Sequence, residues 1–192
     1  MKFEEMMRTV KNRKALSAPV TTMILLVVPV MLAGGVIMYA YQVTETMIQV
    51  EILRLSNQHV WVYDNGTAYA AIVIENLGGR DVVIDRIHVR GVEVPWSTVY
   101  YFRNSSAIAT ELICPNSTHT WSNFEYTENR VASFSAASGD ITLASGYTVI
   151  IFIENPDNIS PKDIGTNVGI AVFTENGQYY VECSVESAET SA

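Results

Sequence analysis

Positive charge is scarce from residue 45 on. Of the 12 Lys and Arg in the chain, only Arg54, Arg80, Arg86, Arg90, Arg103, Arg130 and Lys162 fall there, against eighteen Asp and Glu. The net of about −11 is more negative than the −8 of the whole chain, and a surface of that sign repels phosphate backbones, so nucleic acid is not an expected partner. Methionine is absent beyond Met47, and the chain has two cysteines, Cys114 and Cys183. No Gly-x-Ser-x-Gly, His-Glu-x-x-His, phosphate loop or dinucleotide fingerprint occurs, which removes the enzymes that those motifs mark. The three histidines, His59, His88 and His119, are scattered, and structural or surface roles are expected of them. The reading is of a protein that is not an enzyme and carries no cofactor.

The other absence is of charge altogether, from Leu16 to Thr44. An uncharged run this long, mostly Val, Ile, Leu, Met, Ala and Gly, exceeds the ~20 residues with which a helix crosses a ~30 Å hydrocarbon layer. It predicts a membrane-inserted helix. Pro29 predicts a kink or locally melted turn near Val27 to Pro29, and the pair Gly34-Gly35 permits close helix approach. Lys2, Arg8, Lys11, Arg13 and Lys14 precede the run with only Glu4 and Glu5 opposing them, so the N-terminus is expected in the cytoplasm and everything after the span outside.

The junction reads Asn12-Arg13-Lys14-Ala15-Leu16-Ser17-Ala18-Pro19-Val20-Thr21-Thr22: two cations, a small residue, an apolar residue and a hydroxyl, with the apolar run directly after. A secretory signal peptide places its cleavage site after a shorter apolar region. The order here resembles the class III signal of type IV pilin-like proteins, the archaeal members above all, in which a prepilin peptidase cuts before the apolar segment and leaves it as the mature N-terminus. The resemblance implies cleavage between Ala15 and Leu16. The chain departs from many bacterial pilins at Val20, where those have a glutamate, so a buried carboxylate cannot register the subunits. The stretch Glu75-Asn76-Leu77-Gly78-Gly79-Arg80-Asp81-Val82-Val83-Ile84 also resembles archaeal pilin-like heads, more weakly.

From Met47 the periodicity falls to two. Ile48 to Ile52 alternates and Leu53-Arg54-Leu55 resumes one residue out of phase, as a bulged strand does; a helical continuation through Ile48, Ile52 and Leu55 is the competitor. His59 to Tyr63 and Tyr69 to Glu75 flank Asp64-Asn65-Gly66, a hairpin signal. Val82 to Val89 turns at Arg90-Gly91 into Val92 to Val94. Short strands are expected at Thr98 to Phe102, His119 to Phe124 and Ile141 to Leu143. Gly146 to Glu154 reads as a strand buried on both faces, and Asn167 to Glu175 and Gln178 to Glu186 form a hairpin about Asn176-Gly177.

The fold class is therefore α+β: a long N-terminal hydrophobic helix and then an all-β, Ig-like sandwich head. The expected divisions are a cleaved leader at 1–15, a transmembrane or filament-core helix at 16–46, and an extracellular head at 47–192. In an exported head a Cys114–Cys183 disulfide is expected, two separate thiols being the alternative. Sequons at Asn65, Asn104, Asn116 and Asn158 are candidate glycosylation sites. Cys114 and His119, five residues apart on a β-sandwich, resemble the Cys-loop-His spacing of cupredoxins, with His88 as a second imidazole, although the usual axial methionine is missing. The pairs Asp81 with Asp85 and Asp157 with Asp163 are expected to be solvated acidic loops rather than calcium sites.

What the resemblance implies is a subunit of an archaeal type IV pilus-like surface filament serving adhesion or cell contact. Its partners would be copies of itself, the prepilin peptidase, the pilus assembly machinery and, during biogenesis, the membrane. The alternative is a monotopic membrane-anchored β-sandwich that binds an envelope partner, like the stator components of the archaeal motility filament.

Overall fold

The computed structural model describes residues 2–48, 50–116 and 118–188, the side chains of 2–17 and 46–48 excepted. The chain divides into two compact units, residues 1–47 and 48–192. The first is one helix, α1 (Lys2–Ile48). It runs unbroken past Pro19 and Pro29, so the melted turn expected at Val27 to Pro29 does not occur. Its hydroxyls bond back along the helix: Thr22 Oγ1 donates to the Pro19 carbonyl at 2.9 Å and Thr44 Oγ1 to the Ala40 carbonyl at 2.9 Å. Such internal pairing is what an apolar medium demands of a polar side chain.

The second unit is a large β domain. Its strands are β1 (Leu53–Val62), β2 (Ala68–Asn76), β3 (Val82–Val89), β4 (Val92–Glu93), β5 (Val99–Asn104), β6 (Phe124–Thr127), β7 (Arg130–Ala132), β8 (Ser135–Ala136), β9 (Ile141–Leu143), β10 (Thr148–Glu154), β11 (Asn167–Thr174) and β12 (Gln178–Ser187). One sheet runs in the order β4-β3-β11-β12-β1-β2-β10-β5-β8, with β9 also on β3. All its pairs are antiparallel except β1 with β12, which meet in parallel over Val60–Val62 and Val185–Ser187. The two halves of this sheet share one core: Ile72, Ile74 and Ile151 of the β1-β2-β10 half pack in the same cluster as Ile84, Ile87 and Ile170 of the β3-β11-β12 half. Two layers enclosing one apolar interior is a sandwich-like arrangement.

A third layer explains why β2 is buried at every position. Alternate residues of β2 and β10 turn away from the sandwich interior, and there Tyr69, Ala71, Val73, Ile150 and Phe152 meet Phe124, Phe134, Ile108 and Leu112 from the long connection after β5. The unbroken apolar run of β10 is thus a strand with two apolar faces to satisfy.

Local chemistry sets the turns. Gly66 takes φ +89° between β1 and β2, with the Asn65 side-chain oxygen accepting the Thr67 N–H at 2.9 Å. Arg90 and Gly91 both have positive φ, +51° and +80°, the pattern of a type I′ hairpin joining β3 and β4. Two expectations need correction. The helix, not a strand, extends to Ile48, residues 50–52 are outside any strand, and Gln49 lies outside the described residues; the bulge in β1 falls instead between Ser56 and His59. His119 to Phe124 contains a 3-10 turn, Trp121–Asn123, ahead of β6. The hairpin expected about Asn176-Gly177 does form between β11 and β12, and a side chain holds its turn: Thr174 Oγ1 accepts the Gly177 N–H at 3.0 Å and donates to Glu51 Oε1 at 2.6 Å.

Candidate functional site

The exposed apolar residues of α1 form one candidate surface. Residues Ala18–Glu45 form a 28-residue stretch of mean hydropathy 2.4, none of it buried. Met23, Met31, Leu32 and Ile37 are each about two-thirds exposed or more, and the run Ile24 to Val28 is exposed at every residue. Consecutive exposed apolar residues cover all sides of a helix, whereas a helix lying on a globular core shows one apolar stripe. At ~1.5 Å per residue the stretch is ~42 Å long, more than the ~30 Å hydrocarbon layer requires. The protein therefore carries an N-terminal apolar helix long enough to cross a membrane. A Cβ built on Gly34 or Gly35 would meet nothing within 4 Å. The backbone at Ala15 and Leu16 is helical, and the side chains at that junction lie outside the described residues.

In the β domain the long connection forms a cleft of about 270 Å³ lined by Ile113, Cys114, Asn116, His119, Phe124 and Glu125 among others. Beside it lies an aromatic cluster in which the Trp121 ring stacks on Tyr100 at 4.5 Å and meets Phe152 at 5.5 Å. Trp121 Nε1 donates to Glu154 Oε1 at 2.8 Å, and His119 Nε2 stands 3.6 Å from the same oxygen. The other His119 nitrogen is 2.6 Å from the Asn116 carbonyl. Cys114 Sγ lies 3.7 Å from the Tyr63 hydroxyl, which itself donates to the Pro115 carbonyl at 2.7 Å. Burial pushes the Cys114 thiol up to about 11, and burial first, then the thiol, raises Tyr63.

These positions do not assemble the copper site. Cys114 and His119 share the cleft, but both His119 nitrogens have partners, and His88 is on β3, its ring 4.7 Å from Phe173 and 3.9 Å from a Glu93 oxygen. Among the described residues no group of three or more His, Cys, Asp or Glu converges to hold a metal. Nor do the cysteines meet. Both are free: Cys114 packs against the aromatic cluster, while Cys183 packs against the sandwich core on β12, paired with Val168. The structure thus holds the alternative, two separate thiols, in place of the expected disulfide. Burial, with the Glu186 carboxylate second, also pushes Cys183 up to about 11.

The four sequons differ in geometry. Asn65 and Asn116 are exposed, and in each the side-chain oxygen accepts the backbone N–H of the Thr two residues on, at 2.9 and 3.2 Å, leaving the amide nitrogen outward; Ser117 lies outside the described residues. Asn104 is half-buried, paired with Thr148 at the end of β5. Asn158 precedes the buried Ile159, and the Ser160 hydroxyl of that sequon is committed to Asp163 at 2.7 Å. Asp163 also pairs with Arg90 at 2.9 Å. Asp81 accepts the Ser145 N–H and Asp85 pairs with Arg86, while Asp163 is held by Ser160 and Arg90.

One bracket escaped the sequence. His59 stacks on Trp61 at 4.9 Å with its two nitrogens 3.2 Å from Glu186 and 2.9 Å from Glu111. The partners are 52 and 127 positions away in sequence, and no local pattern signals them.

No family model matches the chain, and no curated protein matches it. Among solved structures it is similar to a family 123 glycoside hydrolase from Clostridium perfringens, with 12% identity over 73% of this chain and 28% of that one, at a TM-score of 0.32. It is also similar to a β-glucosidase from Listeria innocua, with 10% identity over 71% and 16%, at a TM-score of 0.24. The chain thus spans less than a third of either enzyme, and likenesses of this size carry no argument about its activity.

Proposed function

We propose that the protein is a structural subunit of an archaeal type IV pilus-like surface filament, held in the cell membrane by α1 before assembly and buried among copies of α1 afterwards. The observation that carries this reading is a helix uncharged from Leu16 to Thr44 and uncovered on every side from Ala18 on, preceded by Arg13-Lys14-Ala15-Leu16. Burying apolar area contributes roughly 25 cal/mol per Å², so a helix exposed all round needs either lipid or neighbours of its own kind. The leader junction supports the second fate, because cutting between Ala15 and Leu16 removes the cationic flank that otherwise pins the helix to the cytoplasmic surface. The β domain then forms the outer surface of the filament, outside the cell, carrying glycans and making adhesive contacts. The role is structural and non-catalytic.

Mass spectrometry of the native protein, with electron microscopy of the same material, tests this reading. A mature N-terminus at Leu16 and fibres containing the protein are the expected results. An intact residue 1–15 segment on protein that stays single in detergent overturns it and leaves a membrane-anchored envelope-binding domain.

A further inference from the structure

Three segments that are distant in sequence come together where the chain enters the β domain. Leu77 N–H donates to the Ile52 carbonyl at 2.8 Å, Asn76 N–H to the Tyr147 carbonyl at 3.0 Å, and Ser145 Oγ to the Gly78 carbonyl at 2.6 Å. Gly78 is pressed so closely that a Cβ there would stand 2.5 Å from the Val50 carbonyl oxygen. The side chains that these segments turn outward are Val50, Ile52, Leu77 and Tyr147, 39%, 48%, 56% and 44% exposed. Four exposed large apolar residues gathered on one end of an otherwise acidic domain form a patch, not a scatter.

Charge marks the same end. Of the carboxylates beside the patch, Glu75 is paired with the Arg54 cation, while Glu51 accepts from the neutral Thr174 and Asn176 and Asp81 from the Ser145 N–H. Arg80, between Leu77 and Asp81, is exposed, and it is one of only seven cationic side chains in this part of the chain.

Chain length limits what this patch can reach. The apolar span ends at Glu45 and helix continues to Ile48, so three residues at ~1.5 Å and two extended ones at ~3.5 Å put Val50 no more than ~12 Å from the end of the span. The headgroup zone on each side of a bilayer is ~5–8 Å deep. An apolar patch with an aromatic hydroxyl and a cation, tethered this close, has the composition of an interfacial anchor.

We infer that Val50, Ile52, Leu77 and Tyr147 form a second membrane contact, seating the β domain on the lipid interface with Arg80 toward the headgroups. This inference rests on the reading of α1 as a bilayer span. The occupant is the lipid surface of the membrane that α1 crosses, and a second copy of the domain is the competing outcome.

The test uses the full chain in phosphatidylcholine vesicles whose acyl chains are brominated near the headgroup end, with and without phosphatidylglycerol. Leu77→Trp, Val131→Trp and Ile37→Trp each add one indole at an exposed site, read as the emission in excess of the parent. Far-UV circular dichroism checks that each variant is folded. The expected result is quenching at residue 77 and none at Val131, with Arg80→Glu reducing the quenching at 77 more in anionic vesicles than in neutral ones. Quenching absent at 77 but present with deeper bromines at 37 overturns the inference while leaving the span intact. A 77 indole that is shielded only as protein density rises, without bromine quenching, assigns the patch to a second copy and also overturns it. No quenching at 37 with bromines at any depth sinks the span and the inference together.

Discussion

At Cys114 and Cys183 burial holds the proton on sulfur, and the direction of that effect sets a pH window. The folded thiols titrate near 11 and an ordinary cysteine near 9.0. The folded state therefore keeps its protons where the unfolded chain loses them, so the contribution to stability is complete below about pH 9 and is lost as pH rises through 11. Alkylation of the folded protein by iodoacetamide should show two thiols per chain without prior reduction, with a rate that climbs toward pH 11 instead of levelling off above 9. A single product carrying no alkyl group until reductant is added would restore the disulfide. The sequons make a second residue-scale case. An Asn whose side-chain oxygen already holds the Thr N–H presents its nitrogen outward, whereas a hydroxyl locked to Asp163 does not assist. In protein isolated from its own cells, glycopeptide mass spectrometry should find sugar on Asn65 and Asn116 and leave Asn158 bare. Glycan on Asn158 alone would contradict the ranking.

Among the elements, β10 shows how burial on two faces concentrates stability. Phe152 is fully buried, facing Trp121, Phe124 and Phe134 with ring centroids 5.1 to 5.5 Å away. Truncating it leaves a cavity between the sheet and its covering connection, and Phe152→Ala should cost about 3–5 kcal/mol, read as a lowered urea midpoint at unchanged slope. A loss below ~1 kcal/mol would mean that the covering layer does not pack as described. The existence of β10 was legible in the sequence because nothing interrupts its apolar run, and the β1–β2 and β3–β4 hairpins were legible because Gly66 and Gly91 announce their turns. The covering layer was not. Trp121, Phe124 and Phe134 fit no period, since their rings are placed by one shared partner, Phe152, rather than by the pleat of a strand. Nor could the sequence show that Glu51 would hold the Thr174 hydroxyl across 123 positions, or that the helix would win residue 48. The candidate site divides the same way. The apolar stretch is a one-dimensional signal and was legible, though not the unbroken helix through Pro29, whereas the cleft around His119 and the patch around Leu77 exist only once distant segments meet.

For the whole molecule, the question is which part is able to drive self-association. The sheet of the β domain ends in β4 and β8, each of two residues, and so short a terminal strand offers little template for adding another chain. The apolar side chains of that domain are mostly enclosed in two clusters, and the net charge of about −11 from residue 45 on sets copies against one another. On the filament reading, what favours assembly is thus chiefly α1, whose apolar residues from Ala18 on are uncovered. A chain beginning at Val50 should then stay a monomer at any ionic strength that screens its charge, while the full chain associates into fibres. Light scattering of the shortened chain against sedimentation of the full one separates the two behaviours. If the shortened chain formed fibres, contacts between β domains would be carrying assembly, and a filament core built from the apolar helix would lose its physical basis.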